Sequence, residues 1–270
     1  MPPAPPGEVW IGDDAAVLRP PEGPLLLAAD ALVEGVHWDP AVTGFDDAGW
    51  KALAVNVSDL AAMGGRPLHA VVTVTVPPGR AGDVDRMYDG IEAAAKALEC
   101  PVVGGDLTGG PALVVTVAVT GTVDGAPVLR SGARPGDLLF VTGPLGAASA
   151  ALRERRPTPR VAPRVAEGVA ARLGGATAML DLSDGLLIDL RRLADASGVG
   201  VVVDEVPVAE GATRDDALGG GDDYELLFSA PSAPDMHGAP PVAVGRCTAD
   251  PAERRLGDGP LPEGGWEHDW

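Results

Sequence analysis

Leu180-Asp181-Leu182-Ser183-Asp184-Gly185-Leu186-Leu187-Ile188-Asp189-Leu190 passes from the end of an apolar run into a helical pattern within a few residues. A short strand is expected at 178–180, and a helix at 184–196, where apolar residues recur at helical spacing. Ser183 is placed to cap that helix, with Asp181 and Asp184 near its positive end. Capping alone accounts for this segment as well as ligand binding does. A strand that feeds a helix through a short acidic turn is the building unit of α/β folds. Aspartates also close apolar runs at Asp13-Asp14, Asp30, Asp59, Asp106 and Asp222-Asp223, and those at 11–14 and 104–107 sit beside glycine in expected turns. If such ends converge, like charges about 4 Å apart repel by roughly 4 kcal/mol per pair at a near-surface dielectric. The cluster would then need divalent cations, and carboxylate oxygens favour Mg²⁺, Mn²⁺ or Ca²⁺.

Outward from this segment the chain parses into two α/β domains, 1–125 and 126–270. In the first, 15–18 and 25–29 read as buried strands. Asp46-Asp47 open a helix whose apolar positions Trp50, Leu53, Ala54, Val57, Leu60 and Ala61 stop at Gly64-Gly65. Asp59 falls in its last turn, where a carboxylate opposes the helix dipole and gains from a metal or donor partner. A strand at 68–76, a helix at 81–98, a short apolar piece at 102–103 and a strand at 112–123 follow. The second domain has a strand at 138–141, a Gly143-Pro144-Leu145-Gly146 turn into a helix, and a loop marked by Pro157, Pro159 and Pro163 before another helix. Strands at 199–203, 224–228 and 242–245 complete it. The run Gly219-Gly220-Gly221-Asp222-Asp223-Tyr224 implies close backbone approach or mobility.

The formal net charge of the 270 residues is −19, which disfavours a nucleic-acid partner because phosphate contacts dominate that binding. Aspartate outnumbers glutamate 26 to 13, and the shorter acid belongs in caps, turns and metal sites rather than on helix faces. Cys100 and Cys247 supply no disulfide framework and no zinc spacing. The proline-rich opening, residues 1–6, lacks the apolar core of a signal peptide, and no run is long and apolar enough to span a membrane. A soluble, cytoplasmic protein is expected. The only lysines are Lys51 and Lys96, and neither follows glycine, which excludes a Walker A loop. Gly104-Gly105-Asp106 can bring backbone N–H groups to an anion while its carboxylate holds a cation. Arg130, in Arg130-Ser131-Gly132-Ala133-Arg134-Pro135-Gly136-Asp137, is a candidate phosphate partner. His37 reads from its neighbours as a packed ring.

Taken in order, these segments resemble thiamine-monophosphate kinase. The resemblance is carried by IGDDAAVL (11–18), DALVEGVH (30–37), KALAVNVSDLAAMGGRP (51–67), VVGGDLTGGP (102–111), RSGARPGD (130–137), LDLSDGLLIDL (180–190) and GGGDDYELLF (219–228). It implies the two-domain α/β (α+β) fold of aminoimidazole ribonucleotide synthetase. The N-terminal domain would bind ATP and Mg²⁺ and form a homodimer. By position it implies Mg²⁺ ligands at Asp14, Asp30, Asp59, Asp106 and Asp181, with Asp184 holding a further ion. Gly105, Asp106, Arg130 and Ser183 match nucleotide contacts. His37, Asp222 and Trp266 match thiamine monophosphate contacts. The chain departs from the pattern at Ala28-Ala29, where hydroxyl residues often precede Asp30, at Asp222, where glutamate is usual, and at Leu107, where threonine is common.

The implied reaction is ATP-dependent phosphorylation of thiamine monophosphate to thiamine diphosphate. A phosphate monoester has its second pKa near 6, so the acceptor oxygen is already an anion and needs no general base. Direct in-line transfer assisted by several Mg²⁺ ions follows, with no catalytic residue apart from the metal ligands. An aminoimidazole ribonucleotide synthetase-like enzyme and a non-catalytic metal- and nucleotide-binding homologue remain as alternatives. Selenophosphate synthetase would need a reactive cysteine near the start, and none precedes Cys100.

Overall fold

The computed structural model describes residues 3–236 and 238–267, which leaves Met1 and Pro2 of the proline-rich opening outside the described residues. The chain divides into two compact units, Met1–Leu60 with Gly65–Ala126, and Ala61–Gly64 with Pro127–Trp270. No described helix is long and apolar enough to cross a membrane.

The first unit is a four-stranded sheet in the order β1 (Leu25–Val33), β4 (Val114–Thr122), β2 (Arg66–Val76), β3 (Val102–Gly109). β4 runs antiparallel to both neighbours, whereas β2 and β3 are parallel. Parallel neighbours need a crossover, and helix α2 (Ala81–Ala97) supplies it. One sheet face is covered. Val115, Val117 and Val119 of β4 and Ala70, Val72 and Val74 of β2 are buried on it. Helix α1 (Phe45–Ala62) is buried at every position from 52 to 58, and its Leu60 side chain reaches Gly121 of β4. The helices meet backbone to backbone. A Cβ at Gly49 would lie 2.0 Å from the Met87 carbonyl oxygen, and one at Gly90 1.9 Å from that of Asp46. On the other sheet face Leu25, Leu27 and Val71 remain 59%, 73% and 41% exposed.

The second unit is a seven-stranded mixed sheet. Its order is β11 (Gly259–Pro260), β10 (Arg254–Leu256), β7 (Gly200–Val203), β9 (Val242–Thr248), β5 (Leu138–Val141), β8 (Leu226–Ala230), β6 (Ala178–Asp181). Alternation along the strands feeds two cores. Leu139, Val141, Leu180 and Leu227 join Leu186, Leu190 and Leu193 of α5 (Leu186–Ser197) and Leu218 of α6 (Arg214–Gly219). Phe140, Met179, Leu226 and Phe228 face the other way, with Ala171 of α4 (Val165–Leu173). The Phe140 and Phe228 rings stack with centroids 5.3 Å apart. Helix α3 (Ala147–Arg153) follows β5.

Most expected elements form within a residue or two of their expected ends, and five readings are corrected. Residues 15–18 make only an isolated bridge, Val9 to Val17, because the segment is short and Pro20-Pro21 lack N–H donors for a ladder. β1 is a largely exposed edge strand rather than a buried one. Gly104-Gly105-Asp106-Leu107 is extended backbone of β3, not a turn. Gly105 is needed there because a Cβ would sit 2.0 Å from the Val72 carbonyl oxygen across the ladder. The helix expected from Asp184 starts at Leu186 with Gly185 at its N-cap, so Ser183 does not cap it. β8 likewise starts at Leu226 instead of Tyr224, since Asp222 and Tyr224 have φ of 66° and 50°.

Candidate functional site

Three stretches of the second unit are stitched together by their backbones. Asp181 closes β6 and is buried. Beyond it Leu182 N–H donates to Glu225 O at 2.8 Å, Tyr224 N–H to Leu182 O at 2.9 Å, and Asp222 N–H to Ser183 O at 2.8 Å. The glycines allow this approach. At Gly221 a Cβ would lie 2.5 Å from Ser183 O, and at Gly185, with φ 107°, it would meet the Gly219 and Gly220 backbone at 2.9–3.0 Å. Trp266 N–H donates to Asp184 O at 2.9 Å, bringing the third stretch in. Ser183, Asp184, Asp222 and Trp266 therefore gather at one place, from three separate stretches of the chain.

Charged groups brace this assembly from beneath. Asp223 accepts the Gly146 N–H at 2.8 and 3.0 Å, at the start of α3. Burial pushes its carboxyl up to about 7, aided by the neighbouring Glu225 and Asp222 charges, against the lowering effect of the Gly146 and Ala147 N–H groups. Asp216, in a capping box with Thr213, also accepts the Ser149 hydroxyl at 2.9 Å and a guanidinium hydrogen bond from Arg153, so the glycine loop is held to α3 at both ends. Glu225 is buried and takes hydrogen bonds from Thr142 Oγ1 at 2.6 Å and Arg164 Nε at 2.9 Å. On α5 the buried Asp189 accepts the Asp184 N–H at 3.0 Å, while Arg192 Nη1 donates to Asp189 at 2.7 Å and to Asp184 Oδ2. Its neighbour Arg191 donates to the carbonyls of Leu261 and Pro262, at 2.9 and 2.6 Å, and so ties the segment leading to Trp266 onto the same helix.

Arg130 is exposed. Its carbonyl accepts the Ser197 hydroxyl at 3.1 Å, and that oxygen in turn accepts the Gly132 and Ala133 N–H groups at 3.2 Å. Asp137, which closes the segment, is buried and accepts Arg134 N–H at 2.9 Å and the Thr177 hydroxyl at 2.7 Å.

In the first unit, Asp14 is exposed in the segment before β1, Asp30 lies on β1, Asp59 in the last turn of α1, and Asp106 on β3. β1 and β3 are opposite edges of the sheet, three strand spacings or about 14 Å apart. The register also puts the two carboxylates on opposite faces. Asp30 shares a row with buried Val117 and Val72, and Asp106 shares the next row with Thr73 and Thr116. One cation cannot touch both within this sheet. Among the described residues no three His, Cys, Asp or Glu side chains come together to hold a metal ion. The donor set, all carboxylates, suits a hard cation. His37 Nδ1 accepts the Val33 N–H at 3.0 Å, so its neutral ring carries the proton on Nε2. Its carbonyl accepts from the buried Lys51 Nζ at 2.9 Å. Tyr88, passed over in the sequence, stands near Asp106: burial, and then that carboxylate's charge, raise its phenol pKa. A lone tyrosine on a helix gave no signal of this.

Comparisons with known proteins place the chain in a family. Residues 12–123 match the family model described as AIR synthase related protein, N-terminal domain, and 134–256 the corresponding C-terminal domain. The thiamine-monophosphate kinase of Salmonella typhimurium is 38% identical, covering 88% of this chain and 81% of its own. The chain belongs to the thiamine-monophosphate kinase family. It is a phosphotransferase of that family with the two-domain aminoimidazole ribonucleotide synthetase-like fold. Among solved thiamine-monophosphate kinases, that of Stenotrophomonas maltophilia K279a superposes with a TM-score of 0.80 at 36% identity, covering 93% of this chain and 91% of that one. AaThiL complexed with AMPPCP and TMP superposes with a TM-score of 0.84 at 32% identity, covering 96% and 92%.

Proposed function

We propose that this chain transfers the γ-phosphoryl group of ATP directly to the phosphate of thiamine monophosphate, giving thiamine diphosphate. The observation that supports this most is the gathering of Ser183, Asp184, Asp222 and Trp266 on closely stitched backbone, in a chain similar along nearly its whole length to AaThiL, which was solved with AMPPCP and TMP. Gly105, Asp106, Arg130 and Ser183 contact the nucleotide. Arg130 offers an exposed guanidinium for a phosphate oxygen. Asp222 and the exposed Trp266 ring suit the cationic thiazolium ring of thiamine, the first by charge and the second through its π face. His37 Nε2–H donates to an oxygen of the same substrate. The acceptor phosphate is largely dianionic at neutral pH, so no side chain has to remove a proton, and catalysis rests on position and charge.

Mg²⁺, when bound, offsets the charge of the phosphates brought together. Asp14, Asp30, Asp59, Asp106 and Asp181 supply carboxylate oxygens of the type it prefers. Residues 1–125 form the ATP- and Mg²⁺-binding and dimerisation domain, and 126–270 the C-terminal α/β domain. A homodimer joined through the first domain would cover Leu25, Leu27 and Val71, whose exposure a lone sheet face leaves unexplained. Both cysteines are free buried thiols, in keeping with a cytoplasmic enzyme.

The test is mass-spectrometric detection of thiamine diphosphate after incubation of the protein with thiamine monophosphate, ATP and Mg²⁺, with EDTA and thiamine-only controls. Metal-dependent product from the monophosphate alone is expected. Folded protein that binds ATP but forms no product would overturn the reading in favour of a non-catalytic homologue.

A further inference from the structure

A carboxylate turn at a helix start, followed by an arginine on that helix, raises the question of what neutralises the turn. Asp184 and Asp189 stand close. Asp189 Oδ2 accepts the Asp184 N–H at 3.0 Å, and a single nitrogen, Arg192 Nη1, reaches both carboxylates, at 2.7 Å to Asp189 Oδ1 and by a further hydrogen bond to Asp184 Oδ2. Two acceptors of one donor lie within roughly 5 Å of each other. Oxygens that share one Mg²⁺ at about 2.1 Å each lie at most about 4.2 Å apart, so an ion bridging this pair would have to take the ground between the carboxylates that Arg192 Nη1 already fills. The guanidinium therefore stands where a bridging cation would. Asp189 is almost fully buried, with its side chain 3% exposed, so it cannot give up its partner to water without cost, while Asp184 is 26% exposed. Asp189 and Arg192 are three residues apart on α5 and share one helix face.

We propose that Arg192 is the built-in counter-cation of the Asp184–Asp189 pair, and that Asp184 in this chain is not a metal ligand. This departs from the further ion that the family resemblance gives Asp184. It leaves the kinase reading itself in place and predicts one fewer divalent ion per chain. Arg192 is then a positioning residue: by holding Asp189 against the Asp184 N–H it fixes the Ser183–Gly185 turn.

The experiment counts Mn²⁺ bound per chain by electron paramagnetic resonance and calorimetry, with an unreactive ATP analogue present, in the wild type and in D184N, R192Q and R192Q/D184N. The expected result is an unchanged count in D184N, a gain of one ion in R192Q, and loss of that gained ion in the double variant. A wild-type count that drops by one in D184N overturns the proposal, as does an R192Q protein that folds and gains no ion. Should R192Q not fold, the D184N comparison alone decides the matter, since it leaves Arg192 paired with Asp189. Failure of the kinase reading is distinguishable, because it would appear as absent thiamine diphosphate whatever the ion count.

Discussion

Replacing Asp216 with Asn isolates what one buried carboxylate contributes to the loop that carries Asp222. Its Oδ2 accepts the Thr213 N–H and hydroxyl at 2.8 Å each and hydrogen-bonds Arg153, and its Oδ1 accepts the Ser149 hydroxyl at 2.9 Å. Burial alone would raise its pKa, but these hydrogen bonds outweigh burial and lower it from 3.8 to about 2. A lowering of that size corresponds to about 2 kcal/mol. Arg153 is 43% exposed, so solvent screening reduces the expected loss to about 1–2 kcal/mol. Because the folded pKa lies below the unfolded one, the stabilisation is complete above pH 4 or so and is lost as pH falls through about 2. D216N should therefore unfold at lower urea than the wild type at pH 7, with a melting temperature about 2–8 °C lower. The gap should narrow steadily between pH 4 and pH 2. The loop it anchors also loosens, so the KM for thiamine monophosphate should rise. Equal stability at pH 7, or a gap of the same size at pH 7 and pH 2, would refute the reasoning.

Four other substitutions probe separate parts of the structure. Gly90→Ala puts a methyl 1.9 Å from the Asp46 carbonyl oxygen and should destabilise the first unit by roughly 2 kcal/mol or more, read as an earlier denaturation midpoint; an unchanged midpoint would contradict the close helix contact. Arg164→Met strands the buried Glu225 carboxylate and should cost about 2–4 kcal/mol in urea titration, with much of the loss recovered in R164M/E225Q. Asp59→Asn and Asp106→Asn should abolish formation of thiamine diphosphate with circular dichroism unchanged, and full activity in both would end their assignment as Mg²⁺ ligands.

Periodicity and turn residues located the long elements well. α1 was legible because Trp50, Leu53, Val57 and Leu60 repeat at helical spacing and Gly64-Gly65 end it, and β4 because Val115, Val117 and Val119 alternate with threonine and alanine. What local pattern could not carry was the effect of distant backbone. Gly104-Gly105-Asp106 looks like a turn by composition, yet the ladder to β2 extends it. Ser183 has the chemistry of a cap, but the carbonyl of the same residue is taken by the Asp222 N–H from 39 positions further on, and the turn is drawn to the glycine loop instead. α6 is too short for periodicity, although Thr213 and Asp216 at capping-box spacing announce its start. Of the site, the resemblance named Ser183, Asp184, Asp222 and Trp266, and the backbone hydrogen bonds bring those four together. The braces Arg192, Arg164 and Asp216 were not legible in the sequence, because an arginine or aspartate in a helix looks the same whether it is solvated or paired.

The scarcity of lysine acquires a practical meaning once Lys51 is seen to be buried with its ammonium on the His37 carbonyl. Lys96, exposed near the end of α2, is then the one lysine side chain presented to solvent, because the other 18 basic residues of the chain are arginines. An amine-reactive dye applied to the native protein should mark Lys96 as its single side-chain site. The chain thus comes with its own address for a fluorophore or a surface tether, on a helix of the first unit and without an engineered cysteine.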